Sequence, residues 1–217
     1  MFDPMQQPTR IIAIRHGETA WNVDTRIQGH LDIPLNERGH WQAQRLAQAL
    51  AEEDIAAVYA SDLSRAFETG RYVARAAGIS ITPEPGLRER GFGLFEGRTF
   101  KDIEAELPDQ AVLWRKRDPH FVPEGGESLV QLHERVVATC ARLAQAHPGE
   151  LIAVVGHGGV MDILYRAATR LDLQAARSWE LGNAAINRLL WSPQGFSLVG
   201  WGDVGHLAEG ALDEGTA

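Results

Sequence analysis

Two short runs, Ile11-Ile12-Ala13-Ile14 and Leu151 to Val155, are apolar at every position, with no polar alternation. That is the pattern of a strand covered on both faces, as in a parallel sheet between two layers of helix. Each run leads into a turn carrying glycine, Arg15-His16-Gly17 in the first case and Gly156-His157-Gly158-Gly159 in the second. Ala56 to Ala60 and Ile79 to Thr82 predict two further strands. Between the strands the period changes to that of a helix. One helix begins after Asn36, available as an N-cap, with Trp41, Leu46, Ala49 and Leu50 recurring at three- to five-residue spacing. A second begins after Ser61, read as its cap, and carries Leu63, Arg65, Ala66, Thr69 and Val73. Ser128 and Gln131 form a capping box for a third, with Leu129, Leu132, Val136, Val137, Cys140 and Leu143 inward, expected to be the best formed. Val160 to Ala168 continues as a fourth. Ala185 to Trp191 and Phe196 to Trp201 predict a hairpin at the sheet edge, joined by Pro193, Gln194 and Gly195.

Strands alternating with helices predict an α/β fold: a three-layer αβα sandwich with a mostly parallel sheet and an antiparallel edge strand. Two stretches lack periodicity. Trp21 to Pro34 reads as a loop able to line a site. Gly91 to Gly126 reads as an excursion over the site, with a helical patch from Asp102 to Leu107 and breakers at Pro108, Pro119, Pro123, Gly125 and Gly126. No repeat or linker divides the 217 residues, so one domain, 1–217, is expected, with an ordered core over about 10–207 and disorder confined to the ends.

The single cysteine, Cys140, excludes an internal disulfide and sits where a helix packs. Residues 1–9 have neither a basic start nor an apolar core, and no apolar run reaches membrane-spanning length, so a cytoplasmic protein is expected. The net charge of −8 argues against nucleic acid or an acidic membrane as the main partner. It does not argue against a small anion, because a few arginines in one pocket dominate the field at contact distance. A homodimer is compatible with the sequence but not required by it.

The candidate chemistry lies at the strand ends. Arg15, His16, Arg65, Glu89 and His157 each follow a predicted strand, and parallel strands deliver their carboxyl ends to one rim, where open α/β sheets bind ligands. Arg15 beside His16 lowers the imidazole pKa and favours its neutral, nucleophilic form. Taken alone, Arg15-His16 also fits a surface pair, Arg65 a solvated charge, and Glu89 an exposed ion pair with Arg88 or Arg90. Taken together, two arginines, two histidines and a carboxyl group fit phosphoryl transfer. Guanidiniums hold the oxygens, a neutral imidazole attacks, and a carboxylic acid protonates the leaving oxygen, with no metal or other cofactor required. The glycines after His157 let backbone N–H groups face an anion. His30, His40, His120, His133 and His147 read as surface or packing residues and His206 as structural. The six tryptophans read as core or rim, with Trp114 the one to watch.

Over nearly its whole length the chain resembles the histidine phosphatase superfamily, in its phosphoglycerate-mutase-like branch. The resemblance rests on Arg15-His16-Gly17-Glu18-Thr19 with Trp21-Asn22, Gln28-Gly29, Asp32, Pro34-Leu35 and Gly39, and on Ser61-Asp62-Leu63-Ser64-Arg65-Ala66 with Glu68-Thr69. Leu87-Arg88-Glu89, Gly125 to Leu129, Val155 to Gly159, and Asp203 with His206-Leu207 follow in the same order. The resemblance implies a transient phosphohistidine at His16, with Arg15, Arg65 and His157 on the phosphoryl oxygens and Glu89 as acid and then base. It adds Asn22, Gln28, Gly29 and the Gly158 N–H as substrate contacts.

Phosphatases and mutases of this branch share those residues. The excursion is short here, as in the phosphatases, whereas Trp114-Arg115-Lys116-Arg117 is similar to a mutase segment that grips the far end of the substrate. The expectation is a phosphatase acting on a small phosphorylated metabolite. A 2,3-bisphosphoglycerate-dependent phosphoglycerate mutase, an isomerase, is the alternative, and a silent phospholigand-binding module a lesser one. The substrate is left open among phosphosugars, phosphoglycerate derivatives, phosphoserine and the nucleotide-loop phosphates of cobamide synthesis.

Overall fold

The computed structural model describes residues 7–208. Most of the opening stretch, and both ends at which disorder is expected, lie outside the described residues. The chain runs β1 (Thr9–Arg15), a single turn α1 (Ala20–Val23), α2 (Glu37–Ala49), β2 (Ile55–Ala60), α3 (Ser64–Ala76) and β3 (Ile81–Pro83). It continues through α4 (Phe100–Glu106), α5 (Pro108–Arg115), α6 (Leu129–Gln145), β4 (Leu151–Gly156), α7 (Gly158–Thr169), β5 (Ile186–Ser192) and β6 (Gly195–Asp203). The sheet order is β3-β2-β4-β1-β5-β6. The first four strands in that order are parallel, and β5 and β6 close the edge antiparallel.

The unalternated runs are explained by the pleat. Ile11 and Ala13 of β1, with Ile152 and Val154 of β4, pack against Leu132, Val136 and Cys140 of α6 and Val160, Ile163 and Leu164 of α7. Ile12, Ile14, Ala153 and Val155 point the other way, onto Leu46 of α2 and Ala66 and Val73 of α3. Both faces are covered, so Ile11 to Ile14 and Leu151 to Val155 are buried at every position and all are apolar. The three-layer α/β/α architecture follows directly. Burial of each such Ile or Leu is worth about 1.5–3 kcal/mol, and burial pushes the Cys140 thiol up to about 12, the behaviour of a packing residue. No helix among the described residues is long and apolar enough to cross a membrane.

Several expected boundaries move. Ser61 does not cap α3: the N-cap is Leu63, with no side-chain bond, and the Ser61 hydroxyl is used elsewhere. The loop from Trp21 contains the tail of α1, closed by a Thr19–Asn22 capping box. The third strand is displaced to Ile81–Pro83. In the excursion, Pro108 opens α5 where a break was expected, because a proline at the first helical position gives up an N–H that has no partner anyway. Phe95, Ile103 and Ala111 make a small core of their own there, with Trp114 stacked on Phe95 at 5.2 Å. Helix α6 is the longest at 17 residues, with its capping box closed on both sides.

Gly17 and Gly39 settle where the first site turn sits. A Cβ on Gly17 would lie 2.5 Å from the Gly39 carbonyl oxygen, and one on Gly39 would lie 2.1 Å from that of Glu18. The turn after β1 is thereby pressed onto the first turn of α2.

Candidate active site

The parallel register pairs Arg15 with Gly156. The residue after each is a histidine, and the His16 N–H donates to the Gly156 carbonyl at 3.0 Å. The two rings therefore stand together, centroids 5.2 Å apart. His16 Nδ1 lies 2.7 Å from the Gly17 carbonyl. A carbonyl only accepts, so Nδ1 carries the proton and Nε2 keeps its lone pair. Burial first, then the charges of Arg15 and Arg65, hold the His16 pKa well below its ordinary 6.5. The expected direction is thus seen, with desolvation, rather than Arg15, as the larger cause. His157 is lowered in the same way, by burial and then by Arg65, His16 and Arg15. Its Nε2 lies 2.8 Å from the Ser61 hydroxyl, and its Nδ1 has no partner.

The arginines are fixed by carbonyls. Arg65, 1% exposed on the first turn of α3, donates to Gly29 and Leu31, each at 2.8 Å. Arg15 donates to Leu181. The Nε of each guanidinium is buried and unpartnered. Three unpartnered donors or lone-pair atoms, the Nε of Arg15, the Nε of Arg65 and Nδ1 of His157, accompany the free face of His16. Unsatisfied buried donors are costly in an apolar core and characteristic of a site built for an anion.

Glu89 reaches the same place by another route. It follows β3 after a short 3₁₀ turn, and both carboxylate oxygens accept from the Gly159 N–H at 3.0 and 3.1 Å. The exposed pair with Arg88 or Arg90 does not form. Arg88 pairs with Asp62, holding that carboxyl below its usual range, and Arg90 donates to the carbonyls of Phe121 and Glu127. Arg135 of α6 fastens the Glu89 segment by donating to the Gly86, Arg88 and Glu89 carbonyls at 2.9, 2.9 and 3.2 Å.

A cavity of about 160 Å³ is lined by Arg15, His16, Asn22, Gln28, Gly29, Arg65, Glu89 and Phe92, among others. Asn22 commits its amide oxygen to Thr19 and Asn183, and Gln28 accepts from the Thr19 hydroxyl at 3.0 Å. Gly29 has a positive φ of 51°, and a Cβ there would collide with Glu96. Gly158 opens α7 with Arg15 Nε and Glu89 Oε2 beside it. All the expected residues therefore meet on one side of the sheet. Sequence reasoning missed Ser61, Arg135 and His30, whose Nε2 donates to the Glu89 carbonyl at 2.8 Å. Ser61 had the same signal as His16 and His157, the position just past a buried strand, but its value as a helix cap obscured it.

The family model described as the histidine phosphatase superfamily (branch 1) matches residues 11–204. A phosphoglycerate mutase-like protein 4 from Arabidopsis thaliana is 39% identical over 210 residues, covering 94% of this chain and 90% of that one. A metal-independent phosphoserine phosphatase from the same plant is 36% identical over 211 residues, 95% of this chain and 87% of that one. The solved structure of Bacillus stearothermophilus YhfR superposes with a TM-score of 0.85 at 31% identity, over 92% of this chain and 100% of that one. The paired strand-end histidines, the anion-directed arginines and these matches together place the chain in the histidine phosphatase superfamily, branch 1.

Proposed function

We propose that the chain is a metal-independent phosphomonoester hydrolase that works through a phosphohistidine at His16 on a small phosphorylated metabolite. The observation that carries this reading is the His16 ring, protonated at Nδ1 by its bond to Gly17 and neutral amid two arginines. Nε2 attacks phosphorus, the ester oxygen leaves with the proton of the Glu89 carboxylic acid, and the phosphoryl group passes to the ring. Water then gives Glu89 a proton as its oxygen attacks phosphorus, releasing phosphate and restoring neutral His16. Arg15, Arg65, His157, Asn22 and the Gly158 N–H hold the phosphoryl oxygens, with Gln28 and Gly29 shaping the wall. The arginines supply the positive charge that a metal supplies in other phosphatases.

The net charge of −8 supports a small-molecule substrate over nucleic acid or membrane, and the lone thiol suits a reducing cytoplasm. Steady hydrolysis of p-nitrophenyl phosphate in EDTA, abolished in His16→Ala, is the expected result. Equal rates in the variant overturn the reading, and tight phosphate binding without turnover favours a silent binding module instead.

One observation favours the mutase as a second reading. Of the segment Trp114-Arg115-Lys116-Arg117, Arg115 and Lys116 are exposed, but Trp114 and Arg117 line a larger cavity beside the site. Rapid conversion of 3-phosphoglycerate to 2-phosphoglycerate in the presence of 2,3-bisphosphoglycerate, with little free phosphate, would establish it.

A further inference from the structure

We propose that Arg177, in the connection between α7 and β5, binds a second anionic group, a carboxylate or a phosphate, on the leaving-group side of the substrate. The inference rests on the phosphohydrolase reading and adds to it a class of substrate.

A cavity of about 490 Å³ adjoins the His16 site and shares Arg15 and Phe92 with it. Gly158 and Gly159 also line it, and the Gly159 N–H holds Glu89. A leaving group protonated by Glu89 therefore lies in this larger space. Its lining combines apolar Trp114, Leu129 and Leu132 with four arginines, Arg15, Arg90, Arg117 and Arg177, against two carboxylates, Asp162 and Glu180.

The cations differ in what they have left to give. Arg90 is spent on two carbonyls, Arg15 faces the phosphoryl site, and Arg117 is paired with Asp162 at 2.6 Å and bonded to the Leu173 carbonyl. Asp162 is further committed to Arg166. Arg177, an exposed residue that lines the cavity, forms no ion pair or hydrogen bond with another described residue. Burial is the main cause of the lowered pKa of Arg15 and of Arg117, and the charge of Arg177 adds to it in both. An ester whose leaving group carries its own anion gains from that charge what one with a neutral leaving group cannot.

The connection holds Arg177 in place from both sides. Arg166, 1% exposed, donates to the Asp172 and Ala175 carbonyls before it, and Arg117 to that of Leu173. After it, Trp179 stacks on Tyr165 at 4.0 Å and has the Arg166 guanidinium 4.8 Å from its ring, and Trp201 donates to the Glu180 carbonyl. The segment is thus anchored within two residues on either side of Arg177, and only the arginine side chain itself is free to close on a ligand.

The test compares kcat/KM for phenyl phosphate, 4-carboxyphenyl phosphate and 1,4-phenylene bisphosphate. The wild-type chain is expected to prefer one or both anionic esters by about tenfold, through KM. In Arg177→Gln the ratio falls to near one, and in Arg177→Lys it is largely kept. Each enzyme is its own reference, so a loss of folded protein does not alter the ratio. The carboxylate and bisphosphate arms show which anion is taken. Equal kcat/KM for all three esters in the wild type, or an unchanged ratio in Arg177→Gln, overturns the proposal while the hydrolase reading stands. Failure of the wild type to hydrolyse phenyl phosphate overturns the hydrolase reading, and this one with it.

Discussion

The imidazoles of His16 and His157 stand 5.2 Å apart because the strands that carry them are paired Arg15 to Gly156, one step before each histidine. Both rings are buried and held neutral with pKa values well below 6.5. In the unfolded chain they take up protons near 6.5, so acid favours unfolding. Stability is complete above that pH and is lost as the pH falls below it, by up to about 1.4 kcal/mol per pH unit for each ring. Urea midpoints in phosphate-free buffer between about pH 7.5 and 5 should show this decline, and His157→Gln should flatten it. A midpoint that does not move with pH in the wild type contradicts the burial of both rings.

Ser61 orients the second ring. Its hydroxyl is the partner of His157 Nε2 at 2.8 Å, so Ser61→Ala frees the ring to turn. We expect kcat/KM for p-nitrophenyl phosphate to fall about tenfold, with a stability loss of about 1–3 kcal/mol. Ser61→Thr should restore most of the rate, which a purely structural role for the site would not predict of a bulkier side chain.

Glu89→Gln separates the two chemical steps. p-Nitrophenolate leaves without much help, whereas water needs a base in the second step, so the variant should release one nitrophenolate per active site and then turn over about 10²–10⁴-fold more slowly. Rapid-quench or stopped-flow traces read this directly. A uniform slowing with no initial release of product would assign Glu89 to another role.

Arg166→Met removes the partner of Asp162 and the donor to two carbonyls from a buried position. Taking one member from a buried ion pair costs about 3–5 kcal/mol, since the other is left uncompensated. Arg117 still faces Asp162, so the lower end is expected, measured as a shift in the urea midpoint.

Much of this was legible in the chain itself. Ile11 to Ile14 and Leu151 to Val155 announce doubly covered strands because no polar atom can be satisfied at any of their positions, and the residues just past them are forced to the rim. Boundaries failed where two signals compete. Ser61 is a good cap and also a good partner for a buried imidazole, and the second use wins. Pro108 is a breaker inside a helix but a starter at its first position. Asp162, Arg166 and Arg177 carry no local signature, because their meaning lies in which carbonyl or carboxylate the folded chain brings to them. His30 looked like a surface residue and is one by exposure, yet its proton goes to the Glu89 backbone.

The contact between Gly17 and Gly39 has a consequence for how such a chain can change. A methyl group on Gly17 would strike the Gly39 backbone and one on Gly39 the Glu18 backbone, so neither position can gain a side chain without parting the turn from the helix. Drift at either one would prise the nucleophile's loop from its supporting helix. Specificity can therefore diverge freely in the excursion and the α7–β5 connection while the reacting centre is inherited as one indivisible piece.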